Sequence, residues 1–201
     1  MIKFVAGKKK HLHSKNCKWI FVDIGFSCKQ KTCGIIFLDS LESELNKDNY
    51  DVVLFSELMK PLPEKFKTSK FINLVIEAPL SAYFENGNPA HREFEIKRDE
   101  KLYRGWYYNS GASTMLAASF LLSRLNDEFE SDCTIRLFEG FVSFKKSAGT
   151  RENEHIRDVE ALVNVLKESP ESVLWKHNAE LPDYLRILGL DEVPPVIVAS
   201  A

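Results

Sequence analysis

"WIFVDIGFSCKQKTCGIIFLD", residues 19–39, contains two apolar runs joined by a short polar turn. Two such runs around a turn are typical of an antiparallel β-hairpin. Asp23 lies inside the first run, where a carboxylate loses hydration that apolar neighbours cannot replace. Two explanations are open: a partner in the protein neutralises Asp23, or the surrounding site binds a cation.

The composition is that of an ordinary globular protein, with 44% hydrophobic and 28% charged residues among 201. The apolar runs are too short to cross a bilayer. In the amino-terminal segment the basic cluster follows the apolar residues, which is the wrong order for a secretory signal. We therefore expect a cytoplasmic protein without membrane association, whose four cysteines are thiols rather than disulfides. The net charge of -2 argues against a protein that coats nucleic acid by charge alone, although the first third is basic.

The remaining apolar and periodic segments predict further strands and helices. "DVVLFSEL" predicts a third strand, and "FINLVIEAPLS" predicts a central strand that ends at Glu77. "SGASTMLAASFLLSRLNDEF" and "TRENEHIRDVEALVNVLKESP" predict helices, and "CTIRLFEGFVSF" between them predicts a strand with Glu139 near its carboxyl end. This order predicts an α/β fold whose mixed sheet starts with an antiparallel three-strand meander and continues with parallel strands and flanking helices.

Residues 1–201 are expected to form a single domain. Residues 81–109, which are polar, charged and aromatic, interrupt the pattern after the fourth predicted strand and are expected to be an insertion. Residues 171–201 are expected to be a carboxyl-terminal extension that packs back on the core.

Four acidic residues fall at informative places in these elements. Asp23 lies on the first predicted strand, Glu77 and Glu139 lie at the ends of the fourth and fifth, and Asp158 lies near the start of the following helix. In open α/β sheets, ligand sites gather at the carboxyl ends of parallel strands and at the helix starts beside them. We therefore expect the four acids to converge. Simpler interpretations stay open: Asp23 could accept hydrogen bonds from nearby backbone amides, Glu77 could face water, and Asp158 could favour the positive start of its helix.

Four segments occur in a recognisable order: "FVDIGFS" with "CGIIF", then "LVIEAPLS", "RLFEGFVSF" and "HIRDVEALVNVL". This set resembles the ribonuclease-H-like nuclease superfamily, particularly its Holliday-junction-resolvase-like and predicted-nuclease branches. The resemblance implies a ribonuclease-H-like fold and a metal-dependent nuclease that hydrolyses phosphodiester bonds in DNA or RNA. It implies that Asp23, Glu77 and Asp158 bind Mg²⁺ or Mn²⁺, with His155 or Glu139 assisting catalysis.

The sequence departs from that family in its last motif. The family often has two close acids there, whereas this chain has His155 and Asp158, with Glu154 beside them. The number of metal ions is therefore open. His155 and Asp158 are three residues apart and share one helix face, so Asp158 is a candidate ligand while His155 orients water or shuttles a proton.

The predicted insertion interleaves basic and aromatic residues, which suits a nucleic-acid strand because cations contact phosphates and rings stack on bases. Arg104 and Trp106 are the candidate contacts. Acidic residues are mixed in as well, and the aromatic residues could instead attach the insertion to the core.

Two other functions compete with the nuclease. A sugar-kinase-like or actin-like nucleotide binder has a similar phosphate hairpin, but such proteins usually need two comparable lobes. A non-catalytic interaction module could keep the ribonuclease-H-like fold, and in that case the acids need not converge. A junction resolvase would need a dimer to cut two strands symmetrically, so a dimer is possible, but no dimer surface is legible in the sequence.

Overall fold

The computed structural model describes residues 2–14, 16–25, 27, 29–62, 66, 68–97, 102–103, 110–129, 132–143 and 151–200. The strands are β1 (Lys3–Ala6), β2 (Lys18–Asp23), β3 (Cys33–Leu38), β4 (Tyr50–Val53), β5 (Phe71–Glu77), β6 (Phe84–Glu85), β7 (Asn88–Pro89), β8 (Ile96–Lys97), β9 (Leu102–Tyr103), β10 (Thr134–Ser143), β11 (Val173–Leu174) and β12 (Val196–Ser200). The α-helices are α1 (Ser110–Glu128), α2 (Arg151–Glu168) and α3 (Asp183–Ile187).

A mixed sheet organises the described part of the chain, in the order β11-β12-β10-β5-β2-β3-β4. β2, β3 and β4 form the predicted antiparallel meander, while β2, β5, β10 and β12 run parallel. The predicted α/β class with a mixed sheet and flanking helices is therefore confirmed. The sequence analysis missed β1, which pairs in parallel with the first residues of β10.

The two faces of the sheet pack against different helices, because successive side chains of a strand point to opposite faces. Ile20 and Val22 of β2 belong to the core cluster that contains α1 residues such as Leu121. Trp19 and Phe21 belong to the cluster that contains α2 residues. Each large side chain buried in this way contributes about 1.5–3 kcal/mol relative to an exposed one. The sheet therefore has an α1 face and an α2 face.

Helix α2 lies unusually close to the sheet because two strands carry glycine beneath it. A Cβ atom at Gly34 of β3 would lie 2.6 Å from the backbone oxygen of His155. At Gly140 of β10, a Cβ atom would lie 2.7 Å from a methyl carbon of Leu162. Only glycine leaves room for this approach, and so the glycines set the position of α2 over β2 and β5.

The predicted insertion is described only in part. Its described residues include two short hairpins, β6–β7 and β8–β9, and Ala82 bridges to Glu180 of the carboxyl-terminal extension. Arg104 and Trp106, the predicted nucleic-acid contacts, lie outside the described residues. The extension contributes β12 to the main sheet beside β10.

Cys17, Cys33 and Cys133 are buried free thiols, and Cys28 lies outside the described residues. None of the helices in the described ranges is both long enough and apolar enough to cross a membrane.

Candidate metal centre

Asp23 and Glu77 lie side by side at the carboxyl ends of two parallel strands. Asp23 is the last residue of β2 rather than an interior one, and Glu77 is the last residue of β5. The parallel pairing aligns the two residues in register. By alternation both point to the α2 face, since Phe21 and Val75, two residues earlier on each strand, lie in the α2 cluster. Glu77 is only 8% exposed, so it does not face water.

Asp158 reaches the same place from α2. The helix begins at Arg151, so Asp158 lies in its third turn, beyond the first turn where the helix dipole stabilises an acid. The helix predicted from Thr150 therefore begins where expected, and the helix dipole does not account for Asp158. Gly34 pairs directly with Asp23 and lies under the backbone of His155, which brings this part of α2 over the end of β2.

The three carboxylates form one buried cluster. One oxygen from each of Asp23, Glu77 and Asp158 lies within 4.8 Å of the others. Oxygen ligands on opposite sides of one Mg²⁺ ion are about 4.2 Å apart, since each lies about 2.1 Å from the ion. Small side-chain rotations therefore suffice for the three oxygens to ligate one ion. Carboxylate oxygens are also the donors that Mg²⁺ and Mn²⁺ prefer, so the residues fit a hard divalent cation.

His155 adds a basic group to the cluster. Its Nδ1 lies 2.6 Å from Oδ2 of Asp23, and the side chain is 22% exposed. In the neutral ring, a proton on Nδ1 is donated to the carboxylate, and the acceptor lone pair is then on Nε2. This arrangement fixes the orientation of both side chains. His155 shares a helix face with Asp158, as expected, and its Nδ1 contacts Asp23, a pairing that the sequence did not predict.

Glu139 does not join the acid cluster. β10 continues to Ser143, so Glu139 lies in the middle of its strand rather than near the end. It pairs with Ile76, whose side chain belongs to the α1 face, whereas Glu77 points to the α2 face. The expected convergence of all four acids is therefore wrong for Glu139, because one residue of register decides the face.

Glu139 instead belongs to a buried polar network on the α1 face. Its Oε2 accepts hydrogen bonds from the Leu80 amide and the Ser81 hydroxyl, both at 2.9 Å. Its Oε1 pairs with Nη1 of Arg92 at 2.5 Å, and Arg92 also binds Glu95 at 2.7 Å. Arg92, Glu95 and Glu139 are all at least 97% buried.

This network was missed from the sequence, and it corrects one expectation about the insertion. Arg92 is one of the basic residues that the insertion interleaves with aromatic ones, but it is buried and its guanidinium carbon lies 4.5 Å from the centroid of the Phe94 ring. The described part of the insertion is thus attached to the sheet through ion pairs. The signal in the sequence was the spacing of Arg92 and Glu95, three residues apart within an apolar-flanked stretch.

Comparisons of the chain with family models, with curated proteins and with solved structures found no match. The chemistry of the site therefore rests on its own residues. The convergence of Asp23, Glu77 and Asp158 gives no support to the interaction-module hypothesis, for which widely separated acids were the expected sign.

Proposed function

We propose that this protein is a metal-dependent nuclease of the ribonuclease-H-like kind, which hydrolyses phosphodiester bonds in DNA or RNA. Asp23, Glu77 and Asp158 would hold Mg²⁺ or Mn²⁺. The observation that carries the proposal is the buried cluster of three carboxylates whose oxygens lie within 4.8 Å of one another. Buried like charges at this distance repel one another, and a divalent cation relieves that repulsion.

The three ligands come from different elements, which gives the centre a rigid frame. Asp23 and Glu77 are held by the ladder between two parallel strands in the interior of the sheet. Asp158 is held by α2, whose neighbours Val159 and Leu162 are fully buried. Ligands on packed strands and helices keep their geometry better than ligands on loops.

The chemistry of the proposed reaction divides between the ion and the protein. A bound divalent ion lowers the pKa of a water ligand and offsets charge that develops on the phosphoryl oxygens. His155 orients Asp23 through the 2.6 Å contact. As a partly exposed imidazole beside the centre, it is also the candidate group for holding a water or moving a proton.

The strand arrangement supports the ribonuclease-H-like part of the proposal. An antiparallel meander is followed by parallel strands, and the first acid lies on the strand that joins the two regions. This is the arrangement that the resemblance of the sequence implies. Nucleic acid is the proposed partner, with Arg104 and Trp106 as candidate contacts.

Metal titration tests the site before any substrate is chosen. Calorimetric titration of Mn²⁺ and Mg²⁺ into the wild type should show binding, and Asp23→Asn should weaken it at least tenfold. Asp51→Asn, which changes an exposed carboxylate on β4, is the matched control and should bind like the wild type. Equal binding by wild type and Asp23→Asn would remove Asp23 from the metal site.

Cleavage assays then test the reaction. With Mn²⁺ present, the wild type should cut at least one member of a panel of single-stranded, duplex and branched DNA and RNA. Asp23→Asn should be inactive while keeping the melting temperature of the folded protein. Undiminished cleavage by Asp23→Asn contradicts the proposed mechanism.

A further inference from the structure

Arg136 is a buried cation at the opposite end of the strands from the acid cluster. It lies on β10 and pairs in register with Asn73 of β5, which pairs in turn with Trp19 of β2. Trp19 and Asp23 are four residues apart on β2, so this row lies about 13 Å from the acids along the strand direction. Arg136 is only 8% exposed.

The guanidinium of Arg136 lacks a counter-ion among the residues that the structure describes. Its Nη1 is closed off from solvent and has no hydrogen-bond partner, and the same holds for Oδ1 of the neighbouring Asn73. Its other contacts carry no negative charge: the guanidinium carbon lies 4.4 Å from the centroid of the Phe71 ring in a cation–π contact, and the guanidinium is hydrogen-bonded to the neutral Cys17 thiol. A buried guanidinium without a paired anion costs several kcal/mol of desolvation, and it cannot lose its charge because arginine stays protonated.

Within the described ranges, the titratable groups whose pKa values respond to Arg136 do not supply negative charge. Burial raises the pKa of the Cys17 thiol, and burial together with Cys17 raises the pKa of Cys133 to about 11, so both sulfurs are neutral. Burial, together with smaller contributions from Arg136, Lys10 and Lys8, lowers the pKa of His11 to about 4. His11 is therefore neutral as well, and its neighbours Lys8, Lys9 and Lys10 are exposed cations.

We propose that Arg136 is an anion site that binds the oxygens of a phosphate group, with the amide of Asn73 beside it and the exposed lysines of residues 8–10 attracting the anion. A phosphate matches the planar donors of a guanidinium and can accept two parallel hydrogen bonds. The backbone oxygen of His11 accepts a 3.2 Å hydrogen bond from Asn73, so the segment around His11 has to shift for the phosphate to reach Nη1. The site is independent of the proposed nuclease centre, which lies at the other end of the strands.

Titration with inorganic phosphate on the full chain tests the proposal. At constant ionic strength, a phosphate concentration of about ten times Kd should raise the melting temperature by about 3–5 °C relative to chloride. Arg136→Met keeps the volume of the side chain without its charge and should lose this response. Arg124→Gln, which changes an arginine on α1 that is half exposed and paired with Glu128, is the matched control and should keep it.

Two further measurements keep the test decisive. Because phosphate binding moves the segment around His11, the imidazole signals of His11 in the NMR spectrum should shift on phosphate addition in wild type and not in Arg136→Met. Competition between phosphate and a short oligonucleotide distinguishes the sources: displacement indicates a nucleic-acid phosphate, and its absence indicates free phosphate or a monoester. The proposal is overturned if the wild type shows neither heat of phosphate binding nor a shift in melting temperature. It is also overturned if Arg136→Met responds to phosphate as the wild type does.

Discussion

Neutralising one acid of the buried carboxylate cluster should stabilise the metal-free protein. Two unit charges 4.8 Å apart interact by about 3.5 kcal/mol at an effective dielectric constant of about 20. Asp158 faces two such partners, Asp23 and Glu77, so Asp158→Asn removes two repulsions of this order. His155 offsets part of the charge at Asp23, and the amide replaces some contacts less well. We therefore expect a net gain of about 1–3 kcal/mol in the free energy of unfolding.

Thermal unfolding in EDTA and in Mn²⁺ measures this effect. For a chain of this length, about 1–3 kcal/mol corresponds to a rise of about 3–8 °C in melting temperature. In EDTA, Asp158→Asn should therefore melt above the wild type. In Mn²⁺ at about one hundred times Kd, the wild type gains about 2.7 kcal/mol and the variant gains much less. In Mn²⁺ the difference between the two melting temperatures should therefore become smaller, or the wild type should melt above the variant.

The control and the contrary result are equally definite. Asp51→Asn removes an exposed carboxylate and should leave both melting temperatures within about 1 °C of the wild type, because exposed charges contribute little. If Asp158→Asn melts below the wild type in EDTA, the contacts that the protein makes with that carboxylate outweigh its repulsion by Asp23 and Glu77. The inference that a cation completes the cluster is then refuted.

Three further variants test the frame around the two sites. Gly34→Ala places a methyl group 2.6 Å from the His155 backbone oxygen. The variant should lose about 1–3 kcal/mol in the free energy of unfolding and should bind Mn²⁺ more weakly. Unchanged Mn²⁺ binding would show that α2 can shift without moving Asp158. Glu139→Gln should cost about 1–3 kcal/mol, because Arg92 loses one of its two buried anions and keeps Glu95. The folded variant should bind Mn²⁺ as the wild type does, and weaker Mn²⁺ binding by the folded protein would bring Glu139 back into the proposed metal site. The lowered pKa of His11, about 4 against an ordinary 6.5, means that the unfolded chain takes up a proton first, so stability falls as the pH drops from about 6.5 to about 4. His11→Asn should flatten that part of the melting temperature profile, and an unchanged slope contradicts the assignment.

The sequence predicts the parts of the fold that depend on local pattern. The hairpin of β2 and β3 and the end of β5 at Glu77 follow from apolar runs bounded by turns and Pro79. β1 has only four residues and is followed by a run of lysines. Four residues are too few for an alternation of apolar and polar side chains to be recognised in the sequence. Its pairing with β10 depends on contacts between chain segments more than one hundred residues apart.

Three of the four acids that were expected to converge lie in the cluster. The exception, Glu139, has a simple cause. A prediction that misplaces the end of a strand can still identify the strand correctly. The face on which a side chain lies, however, changes with every one-residue shift in register. Asp158 was expected in the cluster because ligand sites gather at the helix starts beside the strand ends, and the resemblance implied the same position. The physical reason for its position is the glycine at residue 34, which could not be connected to α2 from the sequence alone. Likewise, the pairing of Arg92 with Glu139 joins residues that are 47 positions apart.

The two proposed sites use the same strands, and their separation makes a last prediction possible. Asp23 and Arg136 lie in rows that are four residues apart, about 13 Å along the strands. Changes more than about 10 Å apart with no shared partner usually add within about 0.5 kcal/mol. The double variant Asp23→Asn with Arg136→Met should therefore show the sum of the two single effects on the free energy of unfolding, measured in EDTA without phosphate. A larger departure would show that the negative end and the positive end of the strands act on each other across the sheet, and the two sites would then have to be treated as one electrostatic unit.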